Sequence, residues 1–334
     1  MNYAPVAITT LNRFNHFKEC IESLNSCNWA DKTDVFVALD YPPSDKYVEG
    51  HNAIKDYLEQ ATFCFNSLHV LIRHRNYGLG SKGNMATLLS EEIWPYYDRV
   101  ILSEDDNVFA KTFLQFMDIG LEKLENRNDI IQLGGFAIPS QWKNDGNELV
   151  MLNSNANGWG VGKLKKWNDE LEKVDVLDYY HSILSSKERT KKILSGSKND
   201  CGALAWNVMT GNDVHNDTFI SIYARDNDKY AVFPKVSQTK NKGSDGSGNS
   251  SGKKDVYGFN TVELDDRNNM DPTIFDNIPP YYDETMDAIN ETFHLPGWKM
   301  KWIRSIFATH NFWRDHLRIG RWIRKAYITL NPRL

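Results

Sequence analysis

The stretch VILSEDD, residues 100–106, runs from a β-prone apolar segment straight into three carboxylates, Glu104, Asp105 and Asp106. Three anions within three residues repel one another unless a cation offsets them. The segment therefore reads either as a cation-facing strand end or as a solvated loop whose aspartate caps the next helix. Its surroundings favour the first. Upstream, APVAITT (4–10), VFVALD (35–40) and HVLIRH (69–74) have strand character. Between them, 14–26, 47–63 and 82–94 have helical character, and in the first of these Phe17, Ile21 and Leu24 share one face. A helix near 109–125 and a strand at 129–133 follow. This alternation predicts an α/β fold, a mixed, mostly parallel Rossmann-like sheet flanked by helices. Such sheets bind ligands beyond the carboxyl ends of their strands, where the acidic triplet would sit.

Further along, helices are predicted near 163–173, 178–194 and 203–224, then a strand at 230–236. A Gly/Ser-rich segment (237–253) is too polar to pack. Residues 254–296 are acidic and punctuated by proline. The organisation expected is a first half at 1–133, a second half of the same domain at 134–253, and an acidic extension with a basic helical tail at 254–334.

With 41% hydrophobic and 25% charged residues among 334, the chain has an ordinary globular composition. Its charge is uneven. Residues 297–334 hold nine of the 39 basic residues and one of the 44 acids, a tail at +8 on a body at −13. On a helix, Arg314, Arg318, Arg321 and Lys325 share a face, and Trp313, Leu317, Ile323 and Tyr327 form a broad apolar side. That pattern suits an anionic membrane surface; an oligomer contact or packing on the acidic body are the competing readings. The four cysteines have no CxxC spacing and read as free thiols in a reducing cytosol. The opening residues lack a signal-peptide pattern, and no run approaches the ~18 apolar residues of a membrane span. No nucleic-acid partner is expected.

Four segments, APVAITTLNR (4–13), VFVALD (35–40), RNYGLGSKGN (75–84) and VILSEDDNVFAKTFLQFM (100–117), together resemble the nucleotide-binding half of inverting GT-A glycosyltransferases. The likeness is to the N-acetylglucosaminyltransferases of N-glycan branching and to bacterial family-2-type surface-polysaccharide transferases. NGWGVGKLKKW (157–167) and KYAVFPKVSQTKNKGSDGSG (229–248) extend it in the family's order.

The resemblance implies a GT-A fold and Mn²⁺ or Mg²⁺ held directly by Asp106, with Asp105 and Glu104 on ribose, sugar or a metal-bound water. It implies Thr10 and Arg13 bordering the nucleotide, Asp40 approaching the base, and Arg75, Asn76 and Lys82 nearby. Trp159, in Asn157-Gly158-Trp159-Gly160, would line the donor-sugar and acceptor pocket; a core tryptophan on a tight turn is the plain alternative. Asp200, six residues before Trp206, is the candidate base, with Asp213 and Asp217 as alternatives. Lys240 and Lys242 would meet the diphosphate from a segment that orders over the donor. Many bacterial relatives carry a histidine after the DGSG stretch, where this chain has Asn249-Ser250-Ser251.

The activity so implied is transfer of a hexosyl or N-acetylhexosaminyl group from a nucleotide diphosphate, with UDP favoured, to a glycan or lipid-linked acceptor in surface polysaccharide synthesis. The chain would be cytoplasmic and peripheral on the inner face of the membrane. A sugar-nucleotide nucleotidyltransferase is an alternative, opposed by the absence of glycine in Thr9–Arg13. A non-catalytic glycan-binding protein on the same fold is another.

Overall fold

The computed structural model describes residues 2–78, 83–140, 142, 144–153, 159–247, 259–279, 287, 290–291 and 295–330. β1 (Val6–Thr10), α1 (Phe14–Asn25), β2 (Asp34–Leu39), α2 (Val48–Gln60) and β3 (Ser67–Ile72) open the fold. α3 (Asn84–Leu88), continued by a π turn at Leu89–Ile93, leads to β4 (Arg99–Glu104), β5 (Asn107–Phe109) and α4 (Phe113–Leu124). β6 (Ile130–Gly134), β7 (Leu149–Leu152) and β8 (Val161–Leu164) precede α5 (Lys165–Glu172), α6 (Val176–Leu184), α7 (Lys187–Leu194), α8 (Lys198–Thr210) and α9 (Asp217–Asp226). β9 (Tyr230–Pro234) and β10 (Thr239–Asn241) follow, and the basic tail forms α10 (Gly297–Ala308), α11 (His310–Asp315) and α12 (Leu317–Leu330).

The main sheet has the order β3-β2-β1-β4-β8-β6-β9-β7. β1 to β4 are mutually parallel, β8 is antiparallel to both neighbours, β6 and β9 are parallel, and β7 is antiparallel. The fold is thus α/β with a mixed, mostly parallel sheet flanked by helices. Strand residues alternate between faces. Ile8 and Ile101 pack with Phe17, Ile21 and Leu24 of α1 and with α4, whereas Ala7 and Val100 pack with Leu88 and Ile93 on the other face. A second cluster joins Ile131 to α5–α9 and α10.

Several sequence boundaries shift. The predicted helix at 163–173 begins with β8, whose Gly162 lets the strand lie against Leu121 and Met117 of α4. The single helices predicted at 178–194 and 203–224 are each two helices; the second breaks at Gly211, whose φ of 67° ends α8. The Gly/Ser-rich segment opens as a strand, β10, paired antiparallel with β5.

The tail packs on the helical cluster. Ile303, Ile306 and Phe307 of α10 are buried there, and buried His310 of α11 meets His181 of α6, Nδ1 to Nδ1, at 3.2 Å. α12 seats on α8 through Gly320, where a Cβ would collide with the carbonyl oxygen of Met209. No helix among the described residues is long and apolar enough to cross a membrane, and all four cysteines are free.

Candidate functional site

β1 and β4 are neighbouring parallel strands with Thr9 beside Glu104, so their ends bring Thr10 next to Asp105. The Thr10 hydroxyl donates to Asp105 Oδ2 at 2.8 Å. Arg13, at the start of α1, ion-pairs with both aspartates: Nη2 with Asp105 Oδ1, and Nη1 2.8 Å from Asp106 Oδ2. Burial disfavours the charge on Arg13, but Asp105 and Asp106 outweigh it and hold the guanidinium protonated more firmly than usual. From the far side, the β5–β10 ribbon brings Asn241 Nδ2 within 2.6 Å of Asp106 Oδ1. The Lys242 amide donates to the Asp106 carbonyl at 2.8 Å. Gly243 then passes so close that a Cβ there would collide with Asp106 Oδ2. Asp105 and Asp106 are 4% and 6% exposed, so neither is a solvated loop residue.

Glu104 faces the other way. Strand alternation puts it with Leu102 and Val100 on the α3 face, where it is exposed. Asp217, first residue of α9 after the Asn216 cap, is also exposed. Among the described residues neither carboxylate has a hydrogen-bond partner. Crowding by protein, then the charges of Asp106, Asp217 and Asp105, pushes the Glu104 carboxyl up to about 8. Desolvation raises Asp217 to about 6 against the opposing pull of Lys163 in β8. Accessible carboxyls with raised values beside a strand end are what proton transfer near neutral pH requires.

The other predicted positions distribute as follows. Asp40 is buried and accepts from the backbone amides of Tyr41 (2.9 Å), Tyr77 (3.0 Å) and Gly78 (3.1 Å) and from Asn76 Nδ2 (3.2 Å). It organises the turn after β3, where Arg75 lies 4.8 Å from the Tyr77 ring centroid. Lys82 lies outside the described residues, as do Asn157, Gly158 and Asn249-Ser250-Ser251. Trp159 is half-buried, edge-on to Phe136 and Phe259, and its carbonyl accepts from Thr239 Oγ1 at 2.7 Å. The adjacent Gly160 has φ 76°, and a Cβ there would press on Thr239 and Phe113. Asp200 stands in the first turn of α8 over the Ser197 cap, and its charge acts on Tyr180 and Cys201 of the helical cluster. Asp213 is exposed between α8 and α9. Lys242 pairs with Glu19 of α1, while Lys240 lies within β10.

Sequence reasoning missed Asn241, Gly243 and His16. His16 Nε2 contacts Asp245 Oδ2 at 2.9 Å and Ser247 Oγ at 3.1 Å, clasping the 243–247 turn to α1. A separation of more than 220 residues left no local signal for that contact.

Among the described residues no three acidic, histidine or cysteine side chains converge into a protein-only metal cage. The Asp105–Asp106 pair instead fits a hard cation that takes one or two carboxylates and completes its shell with phosphate and water, as Mg²⁺ commonly does.

No protein-family model matches the sequence, and no curated protein matches it. Solved structures to which the chain is similar include the mannosyltransferase PcManGT from Pyrobaculum calidifontis in complex with GDP-Man and Mn²⁺. That match has 13% identity, covers 51% of this chain and 46% of that one, and has a TM-score of 0.37. S. aureus TarS 1–349 in complex with UDP-GlcNAc matches with 15% identity over 50% and 47% of the two chains and a TM-score of 0.34. The bifunctional glycosyltransferase WbbM in its apo form matches with 13% identity over 51% and 33%, with a TM-score of 0.29. The matched part thus spans less than half of each of these proteins, and at such TM-scores the likeness assigns no family.

Proposed function

We propose that this chain is a glycosyltransferase that moves a sugar from a nucleotide diphosphate donor to a glycan or lipid-linked acceptor. The observation that carries the reading is the division of labour at the tip of β4. Asp105 and Asp106 are buried and charge-paired on one side, while the Glu104 and Asp217 side chains are exposed on the other. The donor half is placed at 1–133 and the acceptor half at 134–253.

In this mechanism Arg13 and the turn at 75–78 bind the nucleotide diphosphate, and Trp159 borders the sugar. Asp217, rather than Asp200, takes the acceptor hydroxyl's proton as its oxygen bonds to the sugar's anomeric carbon. The bond from that carbon to phosphate breaks, and the diphosphate leaves with the electron pair from the opposite face, which inverts the centre. A divalent cation, Mn²⁺ or Mg²⁺, held by Asp106 with Asp105, would supply charge neutralisation for the leaving diphosphate.

The test is turnover of a panel of UDP- and GDP-sugars with MnCl₂. Donor hydrolysis or transfer is expected, and Asp106→Ala should reduce it by about 10³-fold. Pyrophosphate release from a nucleoside triphosphate would instead identify a nucleotidyltransferase. Donor binding without turnover would mark a non-catalytic glycan-binding protein.

The acceptor is placed at an anionic membrane surface reached by α12. The apolar side expected to enter lipid is committed elsewhere: Leu317, Gly320 and Ile323 face α8, and Tyr327 meets the Trp206 ring at 5.1 Å. Arg318, Arg321 and Lys325 point outward with Trp322, which is 68% exposed, and among the described residues none of the three has a carboxylate partner. Unpaired cations around an exposed tryptophan fit an anionic headgroup layer. Flotation with anionic vesicles but not with neutral ones is the expected result, lost in Arg318→Glu/Arg321→Glu. Failure of the full chain to float with anionic vesicles removes the membrane part alone.

A further inference from the structure

All four carboxylate oxygens of Asp105 and Asp106 are already engaged. Thr10 holds one, Asn241 another, and Arg13 contacts the remaining two. A divalent cation entering the pair would meet a guanidinium in contact with both acids. Like charges at such range repel strongly where water is largely excluded. The contact is also incomplete. Arg13 Nη1 is buried and ion-paired with Asp106 but, among the described residues, has no well-aligned hydrogen bond, so one donor retains capacity for a better-placed oxygen acceptor.

Resting on the nucleotide-sugar reading, we propose that Arg13 is a resident counter-cation that must leave the aspartates before a divalent cation can take them, and that the donor's diphosphate draws it away. Arginine suits such an exchange, because its planar fork matches carboxylate and phosphate oxygens alike. The side chain starts from the N-cap of α1, shortly beyond β1, and is 20% exposed, so its outer edge is open to an incoming anion. Diphosphate and metal then bind with positive coupling, each completing the other's site, and by linkage the coupling factor is equal in both directions.

The experiment measures Mn²⁺ binding to the 334-residue chain by the electron paramagnetic resonance signal of free Mn²⁺, with and without saturating UDP or GDP. Wild type should bind MnCl₂ weakly alone and about tenfold more tightly with the matching diphosphate, inside the ~5–150-fold range of ordinary couplings. Arg13→Gln should bind MnCl₂ alone about tenfold more tightly than wild type, with the coupling shrinking towards none. If Arg13→Gln leaves Mn²⁺ affinity unchanged or weaker while the coupling persists, Arg13 is a plain donor contact; the inference is overturned and the nucleotide-sugar reading stands. If wild type binds no Mn²⁺ under either condition, the inference and the metal part of that reading fall together, and donor turnover in EDTA shows whether transfer itself survives. Should Arg13→Gln lose its cooperative melt, Arg13→Lys decides in its place. It keeps the charge without the fork, so weak metal binding should remain and the coupling should fall; retention of full coupling sinks the proposal.

Discussion

The two sides of the β4 tip use the same residue chemistry to opposite ends. On the α1 side, Asp105 and Asp106 are enclosed and every carboxylate oxygen has a partner. On the α3 side, Glu104 and Asp217 keep exposed surface, though the protein around them partly desolvates them, and they are unpartnered among the described residues. The first arrangement fixes negative charge in place, which suits holding something cationic. The second leaves carboxyls whose affinity for a proton is raised, which, in the ionised form, suits accepting one. At β4 a single residue step separates the two: the strand ends at Glu104, and the turn that follows directs Asp105 and Asp106 together to the α1 side.

The sharpest way to break this comparison is Asp217→Asn. It should lower kcat by about 10²–10⁴-fold with little change in donor affinity. As a base Asp217 must be ionised, and with its value raised to about 6 the wild-type kcat should climb as pH rises through about 6 and then level off. The variant's residual rate should lack that rise, and a variant profile matching wild type would misassign the proton-accepting side. A smaller effect tests the enclosed side. Gly243→Ala drives a methyl into Asp106 Oδ2, and should weaken donor binding about tenfold while leaving the rise near pH 6 in place.

The smallest effect comes from a carboxyl at the other end of the sheet. Asp118 in α4 accepts the Ala4 amide at 2.8 Å, is fully buried, and has one oxygen without a partner among the described residues. Burial raises it to about 7, so the folded state holds its proton more tightly than the unfolded chain. Its contribution to stability is therefore complete below about pH 4 and is lost as pH rises from there through about 7. Asp118→Asn should raise Tm by about 3 °C at pH 8, a gain that shrinks as the pH falls towards 4. Unchanged melts at both ends would mean that enclosure alone does not raise a carboxyl here.

Much of the first half was legible because its periods are clean. Strand runs of buried type alternate with a helix such as α1, whose buried Phe17, Ile21 and Leu24 match the predicted stripe. The centre of the sheet was not. β8 reads Val161-Gly162-Lys163-Leu164, with too little apolar character to be distinguished from the amphipathic α5 that follows. β7 is a four-residue apolar run that periodicity cannot assign. At the site, the aspartates were visible because their chemistry lies in adjacent residues. Asn241 was not, since only the β5–β10 pairing brings it across 135 positions. The tail shows a third case: it is helical, but a break at His316 divides the expected face between α11 and α12, and the pattern alone could not say which half the body would claim.

That last outcome turns on the absence of a single side chain. Because Gly320 lets two backbones touch at Met209, the rotational setting of α12 is fixed at one point, much as a keyway fixes a shaft. Any larger residue there would force the helix to lift or roll. The arginines' aim would then change while their number, spacing and charge stayed the same.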